Sequence, residues 1–156
     1  LPEFWKSGAF RARWNYPASL SSLRLDARAV GCDTVGLVVR ARDGRFAAAL
    51  STGGTSIMLR GRVGDVPIYG AGLYAAAAGA AAATGTGERI TEALLAKSVV
   101  DWLASGVSAA AAAQRAVDLL RARGDVGIII VTPTELAGAA GNTMAWAGRS
   151  ADVGWT

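Results

Sequence analysis

Hydrophobic patterning orders this chain as strands, then two consecutive helices, then strands, and no other feature constrains its fold as much. Val35, Leu37 and Val39 recur at strand spacing, Asp43-Gly44 is a hairpin turn signal, and Phe46 to Leu50 reads as the return strand. Ala75 to Ala83 (AAAAGAAAA) has the composition of a helix. The Thr84-Gly85-Thr86-Gly87 run behind it suits a buried strand feeding a tight turn, so the segment is read as a strand against which a helix can pack closely. Glu88 to Ala104 places Ile90, Leu94, Val99 and Leu103 at helical spacing and ends at Ser105-Gly106. Ser108 caps a second helix through Arg123, with Val117 and Leu120 inward and Gly124 closing it. Val126 to Thr132 is a strand, Pro133-Thr134 a turn, Leu136 to Ala140 a strand, and Asn142 to Ala147 a candidate third. This is not a βαβ alternation. It predicts an α+β fold: an antiparallel sheet with a helical pair on one face and no layer of its own on the other.

The flanking text is different. Residues 1–33 mix Pro2, Trp5, Trp14 and Pro17 with Ser and Arg and have no sustained period, which reads as linker. Ser51 to Gly72 (STGGTSIMLRGRVGDVPIYGAG) is punctuated by glycine, which predicts close backbone approaches and special turns. Leu1 to Phe10 has no apolar core of a secretory signal. Ala75 to Ala83 is far shorter than the roughly 20 residues of a membrane span. The expectation is a cytoplasmic protein without a membrane partner.

Composition removes whole classes of chemistry. A chain of 156 residues is long enough for one domain with a real core. It has no histidine, so it contains no Ser-His-Asp triad, no HExxH zinc site and no imidazole proton shuttle. Its one cysteine allows neither an intrachain disulfide nor a CxxC metal site. No metal and no cofactor are expected. The net charge of +4 comes with scattered arginines rather than a basic run interleaved with aromatics, so nucleic acid is not an expected partner. TGTG before a helix is a poor phosphate cradle without a Walker lysine or a GxGxxG context. A hydrolase built on this chain needs an unusual base.

Four short segments carry candidate chemistry: Asp33-Thr34-Val35-Gly36, Ser51-Thr52-Gly53-Gly54, Gly61-Arg62-Val63-Gly64-Asp65 and Thr84-Gly85-Thr86-Gly87-Glu88. Each is weak alone. A threonine opening a strand is ordinary β-branched filling, and an arginine three residues from an aspartate is an ordinary surface pair. In this order and spacing, with GRVGDVPIYGAG the most telling stretch, they resemble the β-subunit of the plant-type L-asparaginase and isoaspartyl peptidase family, glycosylasparaginases included. The resemblance covers residues 34 to about 148. It implies an N-terminal nucleophile hydrolase whose precursor cuts itself at the Asp33–Thr34 bond. It implies Thr34 as nucleophile and Thr52 as the hydroxyl that tunes it. Thr84 and Gly85 match the oxyanion hole. Arg62 and Asp65 match the residues that hold the substrate's α-carboxylate and α-ammonium, with Val63 and Gly64 between them. Gly85 and Gly87, with Thr86, match backbone that approaches the substrate.

The match has departures. Asp33 stands where asparaginases of the family usually have glycine and glycosylasparaginases have aspartate, and Cys32 stands where histidine is common. Gly53 is asparaginase-like, because glycosylasparaginases tend to carry asparagine there. Asp65 argues against the threonine aspartases. The resemblance therefore implies hydrolysis of L-asparagine or β-aspartyl dipeptides through an aspartyl–Thr34 ester. Glycosylasparaginase activity, or an uncleaved and catalytically silent assembly domain, are the alternatives. Residues 1–33 then correspond to the tail of an α-subunit and 34–156 to the catalytic β-subunit. That makes the fold half of an αββα sandwich, and the partners an α-subunit and a second αβ pair.

Overall fold

The computed structural model describes residues 34–54, 61–142, 144–150 and, for the backbone alone, 154–155. The lead segment, with Cys32 and Asp33, lies outside the described residues. Asp33–Gly53 and Val63–Thr156 make up one compact unit, while Gly54, Gly61 and Arg62 belong to another. Within that second unit Gly61 turns at φ 86° and Arg62 is half-buried.

In the first unit, β1 (Thr34–Arg40) and β2 (Phe46–Thr52) form the expected hairpin, in register from Thr34 opposite Thr52 to Arg40 opposite Phe46. Gly44 takes φ 85° at the turn, and Asp43 Oδ1 accepts from the Arg45 backbone N–H at 3.1 Å. β3 (Leu73–Ala76), β4 (Gly79–Gly85), β5 (Val126–Val131) and β6 (Leu136–Ala140) make an antiparallel sheet in that order. β7 (Arg149–Ser150) and β8 (Gly154–Trp155) pair separately.

Two expectations are corrected here. The alanine run is not one strand but a hairpin, turning at Ala77-Ala78 with Ala76 opposite Gly79. Gly79 makes the turn possible: its φ is 153°, and a Cβ there would stand 2.4 Å from the Val131 carbonyl oxygen. The described residues of Asn142 to Ala147 are irregular rather than a strand.

The helices are also cut differently. Glu88 to Ala104 is two helices, α1 (Gly87–Glu92) and α2 (Leu95–Ala104), broken where Leu94 adopts φ 42°. The cause is tertiary. The first free N–H groups of α2, those of Ala96 and Lys97, donate to the carbonyls of Ala71 and Gly70 at 3.0 and 2.9 Å. α3 (Ala109–Leu120) ends three residues before the predicted Arg123. Its Ser108 cap accepts from the Ala111 N–H at 3.3 Å, and Gly124 bonds back to the Leu120 carbonyl at 3.0 Å.

The four-stranded sheet has two unlike faces. α2 and α3 pack on one of them, sealing Ala81, Ala83, Val126, Ile128 and Ile130 with Leu95, Val99, Ala112, Ala116, Val117 and Leu120. The small residues of β4 and α3 let helix and strand backbones approach closely. The other face was predicted to lack a layer, but the β1–β2 hairpin packs on it. A Cβ on Gly36 would lie 3.8 Å from that of Ala82. The hairpin's own outer side is bare, with Val35, Leu37 and Val39 at 65%, 60% and 42% exposure. Among the described residues no helix is long and apolar enough to cross a membrane.

Candidate active site

The hairpin register brings two of the candidate residues together. Thr34 opens β1 and Thr52 closes β2, so they face each other across the pair, and Thr34 Oγ1 donates to Thr52 Oγ1 at 3.0 Å. Cross-strand threonines commonly bond in this way. What distinguishes this pair is that Thr34 lies over the hairpin-side face of the sheet. Thr84 lies on that face, opposite Gly127 in the β4–β5 ladder. Thr34 and Thr84 line one cavity of about 230 Å³, together with Gly36, Leu50, Ala82, Ile129 and the stretch Met144 to Ala147.

The turn after Thr84 is built around glycine. Gly85 has φ 137°, and a Cβ there would stand 2.1 Å from the Asp125 carbonyl oxygen. Any side chain would push β4 off the Gly124-Asp125 corner, so the position is closed to other residues. The Thr86 N–H donates to that same carbonyl at 2.8 Å, and the Thr86 side chain fills the space that Gly124 leaves. Gly87 is buried at the start of α1, and its carbonyl accepts from Thr91 Oγ1 at 2.8 Å. Thr86 and Gly87 thus belong to the joint between β4 and α1 and do not line the cavity.

Asp65 lies in the loop before β3 and is not among the residues that line the cavity. It is 6% exposed. Its backbone carbonyl accepts from Ile68 and Gly72 at 3.0 and 3.1 Å, closing the loop on itself. Gly72 is obligatory there, because a Cβ would meet the Asp65 carbonyl oxygen at 2.6 Å. The glycine-rich motif therefore fixes a buried carboxylate. Gly64 is half-buried and Val63 exposed in the same loop. Arg62 lies in the other unit, and Asp33 outside the described residues.

No charged side chain lines the cavity among the described residues. Three solvent-exposed groups have displaced titrations: Arg45 holds the Asp43 carboxyl, and Arg89 the Glu92 carboxyl, below the usual range, while Asp101 raises Lys97. Among the described residues no three His, Cys, Asp or Glu side chains gather as a metal-ligand group. The arrangement is two hydroxyls, those of Thr34 and Thr84, lining an apolar hollow, the first of them bonded to Thr52. It offers a nucleophile and hydrogen-bond donors but no side-chain base. The motif reading missed Met144 and Trp146, which wall the hollow. Gly127 and Gly138, at strand positions where glycine is otherwise unfavourable, were the available signal.

Residues 7–153 match the sequence family described as asparaginase. The chain is similar to the plant-type L-asparaginase of Pyrococcus abyssi, at 41% identity over 114 residues, 70% of this chain and 37% of the relative. It is similar to the N(4)-(β-N-acetylglucosaminyl)-L-asparaginase of Mus musculus, at 34% over 126 residues, 74% of this chain and 36% of the relative. It is also similar to the isoaspartyl peptidase of Escherichia coli, at 45% over 105 residues, 65% of this chain and 33% of the relative. The chain spans about a third of the length of the curated relatives it matches.

Proposed function

The chain belongs to the asparaginase family, and from that premise we propose that it carries the catalytic half of an N-terminal threonine amidohydrolase acting on L-asparagine or β-aspartyl dipeptides. The observation that carries the reading is the Thr34 hydroxyl, bonded to that of Thr52 at 3.0 Å and lining a cavity shared with Thr84. In the proposed precursor the Thr34 hydroxyl attacks the Asp33 carbonyl. The acyl group moves from nitrogen to oxygen, and water releases a chain beginning at Thr34. The new α-amine has an ordinary pKa of about 8, so a fraction is unprotonated at neutral pH beside the hydroxyl it must activate. This resolves the missing base, because one residue supplies nucleophile and base.

Turnover then runs in two steps. Thr34 Oγ1 attacks the side-chain carbonyl, the leaving amine takes a proton, and an aspartyl ester forms on Thr34. Water hydrolyses that ester and restores the hydroxyl and amine. Thr52 orients Thr34. The Thr84 hydroxyl and Gly85 N–H are the proposed oxyanion donors, and losing such a donor costs about 3–4 kcal/mol of transition-state stabilisation. Arg62 and Asp65 are the proposed partners of the substrate's α-carboxylate and α-ammonium, a guanidinium fork for one and a carboxylate acceptor for the other. The bare Val35, Leu37 and Val39 side supports an absent α-subunit that completes an αββα sandwich, with two αβ pairs assembling.

A second reading, release of a glycan from N-glycosylated asparagine, is favoured by Asp33 and by the mouse relative. Turnover of β-aspartyl dipeptides against N-acetylglucosaminyl-asparagine separates the two. The central test is Thr34→Ala in the full-length protein. Intact mass should show no chain starting at residue 34, and ammonia release from asparagine should fall by more than about 10⁴-fold. Hydrolysis that survives the substitution ends the proposal, and a wild-type chain uncut at Asp33–Thr34 supports the silent assembly domain instead.

A further inference from the structure

The cavity beside Thr34 has a wall that the proposed mechanism leaves unused. Met144 and Trp146 come from the stretch after β6 and lie on the hairpin side of the sheet, each seated over a glycine. A Cβ on Gly127 would stand 2.4 Å from Met144 Sδ. A Cβ on Gly138 would stand 2.5, 2.6 and 2.8 Å from Trp146 Cδ2, Cε2 and Cγ, so the indole lies with one face on the Gly138 backbone. Trp146 nevertheless remains 42% exposed. An indole gains most by full burial, yet this one is fixed in a notch cut for it and left open at the rim of the hollow.

Charge decides which half of a substrate that rim meets. The aspartyl half carries an α-ammonium and an α-carboxylate, and the described residues that line the cavity offer neither of them a charged partner. The half that departs from Thr34 has no such demand on its side chain. We propose that Trp146 determines leaving-group specificity, offering its indole as the wall for an apolar side chain on the second residue of a β-aspartyl dipeptide. This rests on the reading of Thr34 as the nucleophile. Met144 and Ile129 complete the apolar contact, and the leaving residue's own carboxylate stays at the solvent side.

The test compares kcat/KM for asparagine, β-aspartyl-glycine, β-aspartyl-leucine and N-acetylglucosaminyl-asparagine in the full-length, self-cleaved protein. Wild type should prefer the leucine dipeptide to the glycine dipeptide by about tenfold or more, as an apolar pocket discriminates. Trp146→Ala should collapse that ratio through KM, and Trp146→Phe should restore most of it. Equal use of the two dipeptides by wild type overturns the proposal, as does an equal loss on all four substrates in Trp146→Ala. A loss confined to the glycosylated substrate overturns it in favour of a sugar platform. If Trp146→Ala fails to self-cleave, the wild-type ratio and the Trp146→Phe variant decide. Wild type inert on every substrate overturns the Thr34 reading itself, and this proposal with it.

Discussion

The two faces of the four-stranded sheet are packed to different ends. On the helix side Ala81, Ala83, Val126, Ile128 and Ile130 are each at most 1% exposed, and α2 and α3 close over them. On the hairpin side their neighbours Ala82, Thr84 and Ile129 line a hollow of about 230 Å³ together with residues of β1, Met144 and Trp146. The same two strands supply both surfaces, because side chains alternate along them. The sealed face holds the backbone of β4 and β5 in place. That rigidity lets the other face keep hydroxyls at set positions around empty space, which a reacting site requires and a core excludes.

Ile128 and Ile129 put the contrast on adjacent residues of β5, since one is fully buried against the helices and the other half-buried at the hollow. Ile128→Ala should cost about 2–5 kcal/mol, the range for a large-to-small change in a packed core. Ile129→Ala should cost about 1–2 kcal/mol, because its side chain already borders open volume. Urea unfolding of the full-length protein measures both. The kinetic order should reverse, with Ile129→Ala changing KM for β-aspartyl-leucine more than Ile128→Ala does. Equal destabilisation by the two would mean that the hairpin face is as sealed as the helix face.

Sequence carried the elements that local chemistry dictates and lost those that tertiary contacts dictate. The β1–β2 hairpin was legible because Asp43-Gly44 supplies a turn and its strands alternate. The break at Leu94 was not, because leucine is a good helix former and the cause lies in the Gly70 and Ala71 carbonyls. The Ala77-Ala78 turn was hidden for a related reason: a run of alanine has no apolar period, and only the contact between Gly79 and Val131 reveals it. In the site, the four motifs pointed to the threonines, but spacing along the chain could not place Thr84 across a hollow from Thr34. That depends on strand register, which puts Thr84 on the Ala82 side of β4 rather than with Ala83. Trp146 was missed because its place is set by what Gly138 lacks, a signal that shows only once Gly138 is known to lie in a strand.

The helix side has a polar anchor whose loss should be felt less than either isoleucine. Ser108 accepts from the Ala111 N–H at 3.3 Å, while the Glu135 carboxylate takes the Ala109 N–H and ties the start of α3 to the β5–β6 turn. With Glu135 still in place, Ser108→Ala should cost about 0.5–1 kcal/mol, the lower part of the range for a lost cap. A larger drop in the urea midpoint would mean that α3 depends on Ser108 alone and that the sealed face is less redundant than its packing implies.

The matching anchor on the hairpin side should matter least. Asp43 Oδ1 accepts from the Arg45 backbone N–H, and Oδ2 from Arg45 Nε at 2.7 Å, in full solvent. Asp43→Asn keeps the Oδ1 acceptor but removes the charge and the Oδ2 acceptor of Arg45 Nε, so the turn should survive with a slightly lower urea midpoint. The sign with pH is fixed by the pairing. Arg45 holds the folded-state pKa of Asp43 below the ordinary 3.8, so its contribution is present above that value and disappears as the pH falls through the folded pKa. The gap between wild type and Asp43→Asn should therefore be present at neutral pH and shrink as the pH falls below 3.8. Because exposed pairs are screened, it should also shrink in about 1 M salt. A gap that ignores both pH and salt would mean that the turn responds to shape at this position and that charge adds nothing to the open side of the molecule.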